Sequence, residues 1–380
     1  MKAVYIHIPF CVRKCLYCDF ISGPPQGPVF PFVTALKKEI EMVGRNCADT
    51  EPVTSVFFGG GTPTFLNANE LAGILDTVRG SFKVADDAEI SLECNPGTLT
   101  ASGAVILKNA GFNRVSIGLQ SADDRLLKLL GRIHTRDEFL KAYGDLRAAG
   151  FKNINIDVMH ALPEQTIEDY LKTLSLVCEL GSEHISSYAL ILEEGTPYYN
   201  MVQSGALILP DEDLAADMQD TGIKFLEEAG YRRYEISNFA RPGYECRHNL
   251  LYWDNGPYLG FGPAAHSSYS WDGKWFRWHN TENTAQYIRA VEAGRLPREE
   301  LTEIGQKEQR FESVMLGLRK VAGIDAALFK KRFGLGVSEA FPQASEYVKK
   351  SGLLRCDDEK AYALNRRGLD ILNSVLLQFM

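Results

Sequence analysis

The sequence has no excess of positive charge: 41 Lys and Arg stand against 49 Asp and Glu, a formal net charge of −8 over 380 residues. That balance works against general binding to a phosphate backbone, and nucleic acid is not an expected partner. Long apolar runs are missing too. Stretches such as 188–192 and 250–253 fall far short of the roughly 20 residues that a bilayer-spanning helix needs. Residues 1–10 carry one charge, a short apolar run broken by His7 and no small-residue cleavage site, so no secretory leader is expected and the compartment reads as cytoplasmic. Low-complexity tracts are absent. With 45% hydrophobic and 24% charged residues, the composition is that of globular domains, which excludes fibrous and disordered classes. At ~150 residues per domain the length predicts two or three of them.

What is present begins with cysteine. Eight cysteines in a reducing compartment are thiols, metal ligands or catalytic groups rather than disulfides. Cys47, Cys94, Cys178, Cys246 and Cys356 are scattered, whereas Cys11, Cys15 and Cys18 crowd into one short segment.

Apolar, β-rich runs alternate with stretches of helical period, the pattern of parallel βα units. The strands are expected at 3–8, 53–58, 89–93, 114–118, 153–158 and 184–190, and the helices between them at 31–45, 69–82, 100–110, 135–149 and 167–180. Periodicity fits either a six-unit barrel segment or an open doubly wound sheet. The polar residues favour the barrel: Cys11–Cys18, Gly59–Thr62, Glu93–Asn95, Gln120 and Asp157 all fall at or just beyond the C-terminal ends of expected strands, where active-site groups of parallel α/β folds gather. Further on, a helix is expected at 210–229 and a short strand at 232–237. An aromatic-rich stretch, 244–278, holds all four tryptophans. The tail reads as helices at 284–293, 305–321, 326–333 and 346–351, a hairpin at 353–364 and a closing helix from Arg366, a winged-helix-like lobe. The domains are therefore expected at 1–240, 241–280 and 281–380, the middle segment packing on the barrel.

The segment Cys11-Val12-Arg13-Lys14-Cys15-Leu16-Tyr17-Cys18 carries the most chemistry. Three thiolates in a compact loop can hold a [4Fe–4S] cluster and leave its fourth iron open. Zinc is the rival, but structural zinc takes four ligands and no second Cys pair exists, although His7 is close. Packed core cysteines are the third reading. It suffers from the loop position and from Arg13 and Lys14, which would stabilise thiolates. After the second strand, Gly59-Gly60-Gly61-Thr62-Pro63-Thr64 can present main-chain groups to a ligand, though taken alone a simple tight turn is the better reading. Glu93 could accept from ribose hydroxyls or be a plain solvated carboxylate. Gln120, Arg132 and Asp157 carry weaker signals: Arg132 reads as a surface charge and Asp157 as a turn cap.

The Cys-x-x-x-Cys-x-x-Cys spacing after a first strand, with Tyr17 before the last cysteine, resembles the radical S-adenosylmethionine (SAM) superfamily. That resemblance implies a partial (β/α)6 barrel of the α/β class, with a smaller C-terminal helical, winged-helix-like domain. It also implies a cluster whose open iron chelates the amino and carboxylate groups of SAM, and one-electron cleavage to a 5′-deoxyadenosyl radical. The residues 5–11, 58–64, 116–121 and 260–263 resemble the coproporphyrinogen-oxidase-like branch over nearly the whole chain. The resemblance implies that Tyr5, Gly60 and Glu93 contact the cluster-bound SAM. It implies that Tyr17, Gly61, Thr62, Gln120, Arg132 and Asp157 correspond to residues holding a second SAM in the dehydrogenase, with Ala189 and His266 in segments lining the same site. Two departures weigh against that enzyme's decarboxylation: Phe20 stands where it has a further cysteine, and its N-terminal extension is lacking, since the first strand begins near Ala3.

The positive discriminator is His248-Asn249-Leu250-Leu251-Tyr252-Trp253, which resembles the His-Asn-x-x-Tyr-Trp signature of the radical SAM haem chaperones. A neutral imidazole at His248 can ligate haem iron, Tyr252 and Trp253 offer broad faces to a macrocycle, and Asn249 can bond a propionate. Cys246 shares a face with His248 if the segment is extended, as an alternative thiolate ligand. Without the resemblance, a histidine and two aromatics packed in a lobe interface would be the better reading. The resemblance implies haem as ligand, delivery to haem-requiring proteins including membrane-bound respiratory complexes, and a cluster-dependent homodimer. The alternatives are a coproporphyrinogen dehydrogenase and a redox-sensing nucleic-acid binder, the latter opposed by the net acidity.

Overall fold

A computed structural model describes residues 2–46 and 51–380; Cys47 lies outside them. Six parallel strands carry the first half of the chain: β1 (Lys2–Ile8), β2 (Val53–Gly60), β3 (Val84–Cys94), β4 (Arg114–Gln120), β5 (Ile154–His160) and β6 (His184–Ala189). Two short antiparallel strands, β7 (Arg232–Arg233) and β8 (Asn238–Ala240), finish that side. On the other side of β1 lie β9 (Tyr258–Phe261), β10 (His266–Trp271), β11 (Lys274–Asn280) and β12 (Arg298–Ile304). The twelve form one sheet in the order β12-β11-β10-β9-β1-β2-β3-β4-β5-β6-β8-β7, so the first strand sits inside it, with β9 parallel to it from Ala3 opposite Tyr258. A second sheet of β13 (Ile324–Asp325), β14 (Leu354–Asp357) and β15 (Ala361–Leu364) lies in the tail, in the order β13-β15-β14.

The helices α1 (Phe30–Asn46), α2 (Ala68–Ser81), α3 (Ala101–Ala110), α4 (Asp124–Leu129), α5 (Arg136–Ala148), α6 (Ile167–Leu180), α7 (Pro197–Gln203) and α8 (Glu212–Glu228) connect or follow the parallel strands. Beyond them come α9 (Arg247–Trp253), α10 (Thr284–Glu292), α11 (Gln306–Gly317), α12 (Ala326–Phe333), α13 (Val337–Ala340), α14 (Pro342–Lys350), α15 (Arg366–Asp370) and α16 (Leu372–Leu376). Local sequence sets the starts of the crossover helices. Asn67 with Glu70, Thr135 with Glu138 and Thr166 with Asp169 close capping boxes on α2, α5 and α6, satisfying otherwise orphaned N–H groups. The strands between them are buried on both faces, β4 at every position, as parallel strands covered by helices must be.

One core runs from Val4 to Val291 through both parts of the large sheet, and a separate core spans Val314 to Phe379. The tail expected as one unit from 281 is thus divided: α10 and β12 belong with the large sheet, and the winged-helix-like lobe begins with α11. The aromatic stretch 244–278 is continuous with the barrel sheet through β9, β10 and β11. The lobe is tied down by polar contacts. Arg277 on β11 makes a two-pronged ion pair with Glu312 on α11 (2.8 Å at each prong), and Lys320 pairs with Asp254. Arg332 lies over the Trp275 ring at 4.1 Å and donates to the Asn255 carbonyl.

Candidate functional site

The three clustered cysteines sit at the C-terminal mouth of β1, in a loop the backbone closes on itself. Cys11 N donates to Gly23 O (3.1 Å) and Gly23 N to Pro9 O (3.0 Å). Its middle is pinned from outside: Leu16 N donates to Leu130 O, Tyr198 N donates to Leu16 O, and Leu16 and Tyr17 pack on a satellite cluster containing Leu126, Met159 and Tyr198. Cys11 is buried, while Cys15 and Cys18 are half-buried. Burial pushes the Cys11 and Cys18 thiols up, with Lys14 acting weakly in the opposite direction. Arg13 was expected to stabilise thiolates, but its guanidinium donates to Gly131 O (2.8 Å). A cation in contact with the cysteines is Arg132, whose Nη1 lies 3.5 Å from Cys15 Sγ and whose Nη2 donates to Asn95 Oδ1 (2.8 Å). The surface-charge reading of Arg132 is therefore replaced.

Among the described residues no three His, Cys, Asp or Glu side chains converge on a point that would hold one metal ion. His7 adds no ligand, because its Nδ1 shares a hydrogen bond with the Tyr5 hydroxyl (3.2 Å) and its Nε2 with Ile21 O (3.1 Å). Three free thiols on one closed loop are the donor set that a cuboidal cluster takes.

The glycine turn lies beside this loop. Gly61 N donates to Ile8 O and Thr62 N to Phe10 O (2.8 and 2.7 Å), so the turn and the start of the cysteine loop run side by side. A Cβ on Gly61 would stand 2.6 Å from Phe10 O, which is why no larger residue fits. Gly60 N donates to Glu93 Oε2 (3.2 Å), and Asn95 Nδ2 donates to Thr62 Oγ1 (2.7 Å), joining β2, β3 and Arg132 in one network. Burial, reinforced by Asp157, holds Glu93 up at about 8. Asp157 is also raised by burial, although it accepts from Ser116 and Asn155 (3.1 and 2.7 Å). Tyr17 packs near Tyr198, 6.4 Å between ring centres.

Gln120 ends β4 at a positive φ of 61°, and its buried Oε1 has no partner; Arg132 Nε is also buried and unpaired. Gly118 leaves room for both groups, since a Cβ there would meet Gln120 Nε2 at 2.5 Å and Arg132 Nη2 at 3.2 Å. A strained residue and two orphaned polar atoms at one mouth fit a polar ligand that the fold is shaped to receive. Tyr5, Tyr17, Gly60, Gly61, Thr62, Glu93, Gln120, Arg132 and Asp157 are thus gathered with the cysteines. Ala189 ends β6, and His266 is exposed at the start of β10, near His279 (5.3 Å between rings).

The second set lies deeper. The segment bearing His248, Asn249, Tyr252 and Trp253 is the helix α9, so Cys246 and His248 do not share a face by strand alternation; that premise is corrected. Cys246 is buried and donates to Glu89 Oε1 (3.4 Å), and burial pushes its thiol up to about 12. Glu89 also accepts from Arg247 N (3.0 Å) and His248 N (3.2 Å), capping the helix from the barrel interior. His248 is 1% exposed, with Nδ1 bonded to Ser55 Oγ (3.0 Å) and Nε2 to the Tyr252 hydroxyl (3.1 Å). Burial, then Arg114, depress it to about 3, so the ring is neutral. It stacks on Phe57 (5.0 Å) and approaches Tyr5 (6.5 Å), which links the two sets. Asn249 is half-buried, and Trp253 faces Arg319 of the tail at 5.8 Å.

Sequence reasoning assigned no role to Glu89, Arg114, Asn155, His184 or Tyr234. His184 joins Asn155 (2.6 Å) to Tyr234 (2.8 Å), which accepts from Cys246 N (3.3 Å). The available signal was charge or amide inside otherwise apolar strands, at Glu89, Arg114 and Asn155.

Residues 5–177 match the radical SAM superfamily and residues 304–371 the HemN C-terminal domain. The chain is 36% identical to heme chaperone HemW of Bacillus subtilis, over 100% of this chain and 99% of that protein. It is also 36% identical to heme chaperone HemW of Escherichia coli, over 100% and 98%. A mouse mitochondrial radical S-adenosyl methionine domain-containing protein 1 is 33% identical over 100% and 87%. The fold is similar to that of the coproporphyrinogen III oxidase HemN from Escherichia coli, with a TM-score of 0.83 and 24% identity over 100% of this chain and 89% of that one. With that identity sustained from end to end, and with the cysteine mouth and C-terminal lobe both in place, the chain belongs to the HemW family of radical SAM proteins.

Proposed function

We propose that the chain is a haem chaperone, binding haem as cargo and passing it to haem-requiring proteins, with a SAM-ligated [4Fe–4S] cluster at its cysteine mouth. The observation that carries this reading is the full-length 36% identity to proteins named heme chaperones. Cys11, Cys15 and Cys18 would hold the cluster. When bound, the cluster supplies an iron open to the amino and carboxylate groups of SAM, and a route for one electron. Tyr5, Gly60 and Glu93 would contact the cluster-bound SAM, and Tyr17, Gly61, Thr62, Gln120, Arg132 and Asp157 would hold a second. Arg132 sets a fixed positive charge against Cys15. Glu93, held near 8 by burial, is largely protonated at neutral pH and ionises when an ammonium group sits beside it.

The likeness to the oxidase, at 24% identity, speaks for the fold alone, and Phe20, where the resemblance would put that enzyme's further cysteine, is 62% exposed. No helix among the described residues is long and apolar enough to cross a membrane. On this reading the protein works in the cytoplasm, its acceptors include membrane-bound respiratory complexes, and it forms a cluster-dependent homodimer. Anaerobic reconstitution followed by haem titration tests the proposal. The parent is expected to bind iron and sulfide and develop a Soret band, and Cys15→Ala is expected to lose the iron and sulfide. A parent that gives no Soret band overturns the chaperone reading.

A further inference from the structure

A cavity of about 580 Å³ opens between β5, β6 and β8 of the barrel and the turn from α15 to α16 of the C-terminal lobe. Its volume is within the ~300–1,000 Å³ range of small-molecule and cofactor pockets. His160, the last residue of β5, lines it and is 3% exposed. Neither of its ring nitrogens has a hydrogen-bond partner. Buried polar groups are nearly always satisfied, so an imidazole with two orphaned nitrogens requires an explanation. The neighbouring Tyr170 ring, 5.3 Å away, does not supply one, because its hydroxyl is committed to Ser187 Oγ (2.7 Å). Burial lowers His160 to about 4, leaving it neutral at pH 7 with a free lone pair.

The rest of the wall supplies the other contacts a charged aromatic macrocycle needs. Tyr188 and Ile371 give it apolar surface, and Arg233 and Arg319 give it cations, with Asp370 the one carboxylate among its lining residues. Arg233 is held by the carbonyls of Glu235 and Ile236 (3.2 and 2.8 Å), and Arg319 lies over Trp253. Trp253 belongs to the signature helix, and its Nε1 is buried without a partner. Arg319 thus links the cavity wall to that helix, while His248 on the same helix is bonded to Ser55 and Tyr252.

We propose that this inter-domain cavity is a haem site in which His160 ligates the iron, Tyr188 and Ile371 cover the ring, and Arg319 with Arg233 hold the propionates. The inference rests on the haem-chaperone reading and assigns it a place distinct from His248. The cavity wall joins two units with separate cores, and His160 would meet the iron from the barrel side.

Ferric haem titrated into the reconstituted full chain tests the assignment. His160→Phe keeps the ring volume and removes the ligand, and His160→Ala leaves a hole for free imidazole. Ile371→Trp fills the cavity from a position already 43% exposed, with little risk to folding. His160→Phe and Ile371→Trp are each expected to weaken haem binding about tenfold or more, a loss of ~1.4 kcal/mol at the least. The Soret maximum of His160→Ala is expected to shift and to return towards the parent's on addition of imidazole. If the parent binds haem and the His160 variants keep both its affinity and its Soret maximum, the cavity assignment is overturned while the chaperone reading stands. The cavity assignment falls equally if only His248→Ala alters the spectrum. If the parent binds no haem, the chaperone reading itself fails.

Discussion

At the scale of single residues, the mouth of the barrel depends on close approaches that side-chain size controls. Gly61 lies against Phe10 O, and the Thr62 N–H to the same oxygen aligns the turn with the cysteine loop. Gly61→Ala must push the Phe10 backbone away, at about 1–3 kcal/mol as overpacking in a tight site does. The expected outcome is a lowered denaturation midpoint and less iron and sulfide after reconstitution; full loading at parent stability would show that the approach is not needed. A second residue sets a pH dependence. Glu39 is buried where α1 meets the sheet, accepting from Tyr287 OH (2.6 Å), Gly262 N (2.9 Å) and Asn280 Nδ2 (2.7 Å), and burial raises it from 4.5 to about 7 despite those bonds. A raised folded value means that the native state holds the proton more tightly than the unfolded chain. The resulting stabilisation is complete below about 4.5 and is lost as the pH rises through about 7. Urea denaturation across that window should show Glu39→Gln with a flatter profile than the parent, by on the order of 1 kcal/mol per pH unit. Parallel profiles would remove Glu39 as the cause.

Among the elements, α9 stands out because its N-terminus is capped by a carboxylate from another strand. Glu89→Ala would leave the N–H groups of Arg247 and His248 and the Cys246 thiol without their acceptor inside the barrel, a cost of about 1–3 kcal/mol. The measurement is equilibrium unfolding, and a change under about 0.5 kcal/mol would mean that water replaces the carboxylate. The same elements show what sequence reveals. The starts of the strands at Val53, Arg114 and His184 were legible to the residue, because each opens a short run of β-branched, aromatic and small residues after a turn, polar groups such as Arg114 and His184 included. β12 was invisible: its sequence REELTEI is exposed at five consecutive positions of an edge strand, so no alternation marks it. The aromatic stretch hid α9 and three strands because half-buried tyrosines and tryptophans carry no clear period. The cysteine trio and the glycine turn were legible from local spacing. The Asn155–His184–Tyr234 chain was not, since strand register alone brings together residues up to 79 positions apart in the chain (234 − 155).

For the whole molecule, the two cores meet through polar contacts as well as through Ile236, and the Arg277–Glu312 pair spans the junction. Glu312 has only 7% of its side chain exposed and Arg277 has 37%, so removing the cation leaves a poorly solvated carboxylate. Arg277→Met should cost about 1–3 kcal/mol, between the values for exposed and buried pairs. Calorimetry should then resolve the lobe melting ahead of the barrel; an unsplit transition at the parent temperature would show that the other contacts suffice. The sheet order carries a consequence for biosynthesis. β1 leaves the ribosome first, yet its second edge is covered only by Tyr258–Phe261, some 250 residues later. Throughout translation the nascent chain bears an unzipped flank next to its sulfur loop, a slow, long-range closure of the kind that delays folding. The flank of β1 is thus sealed only when the chain is two-thirds made, and until then the strand that leads into the sulfur loop is held from one side alone.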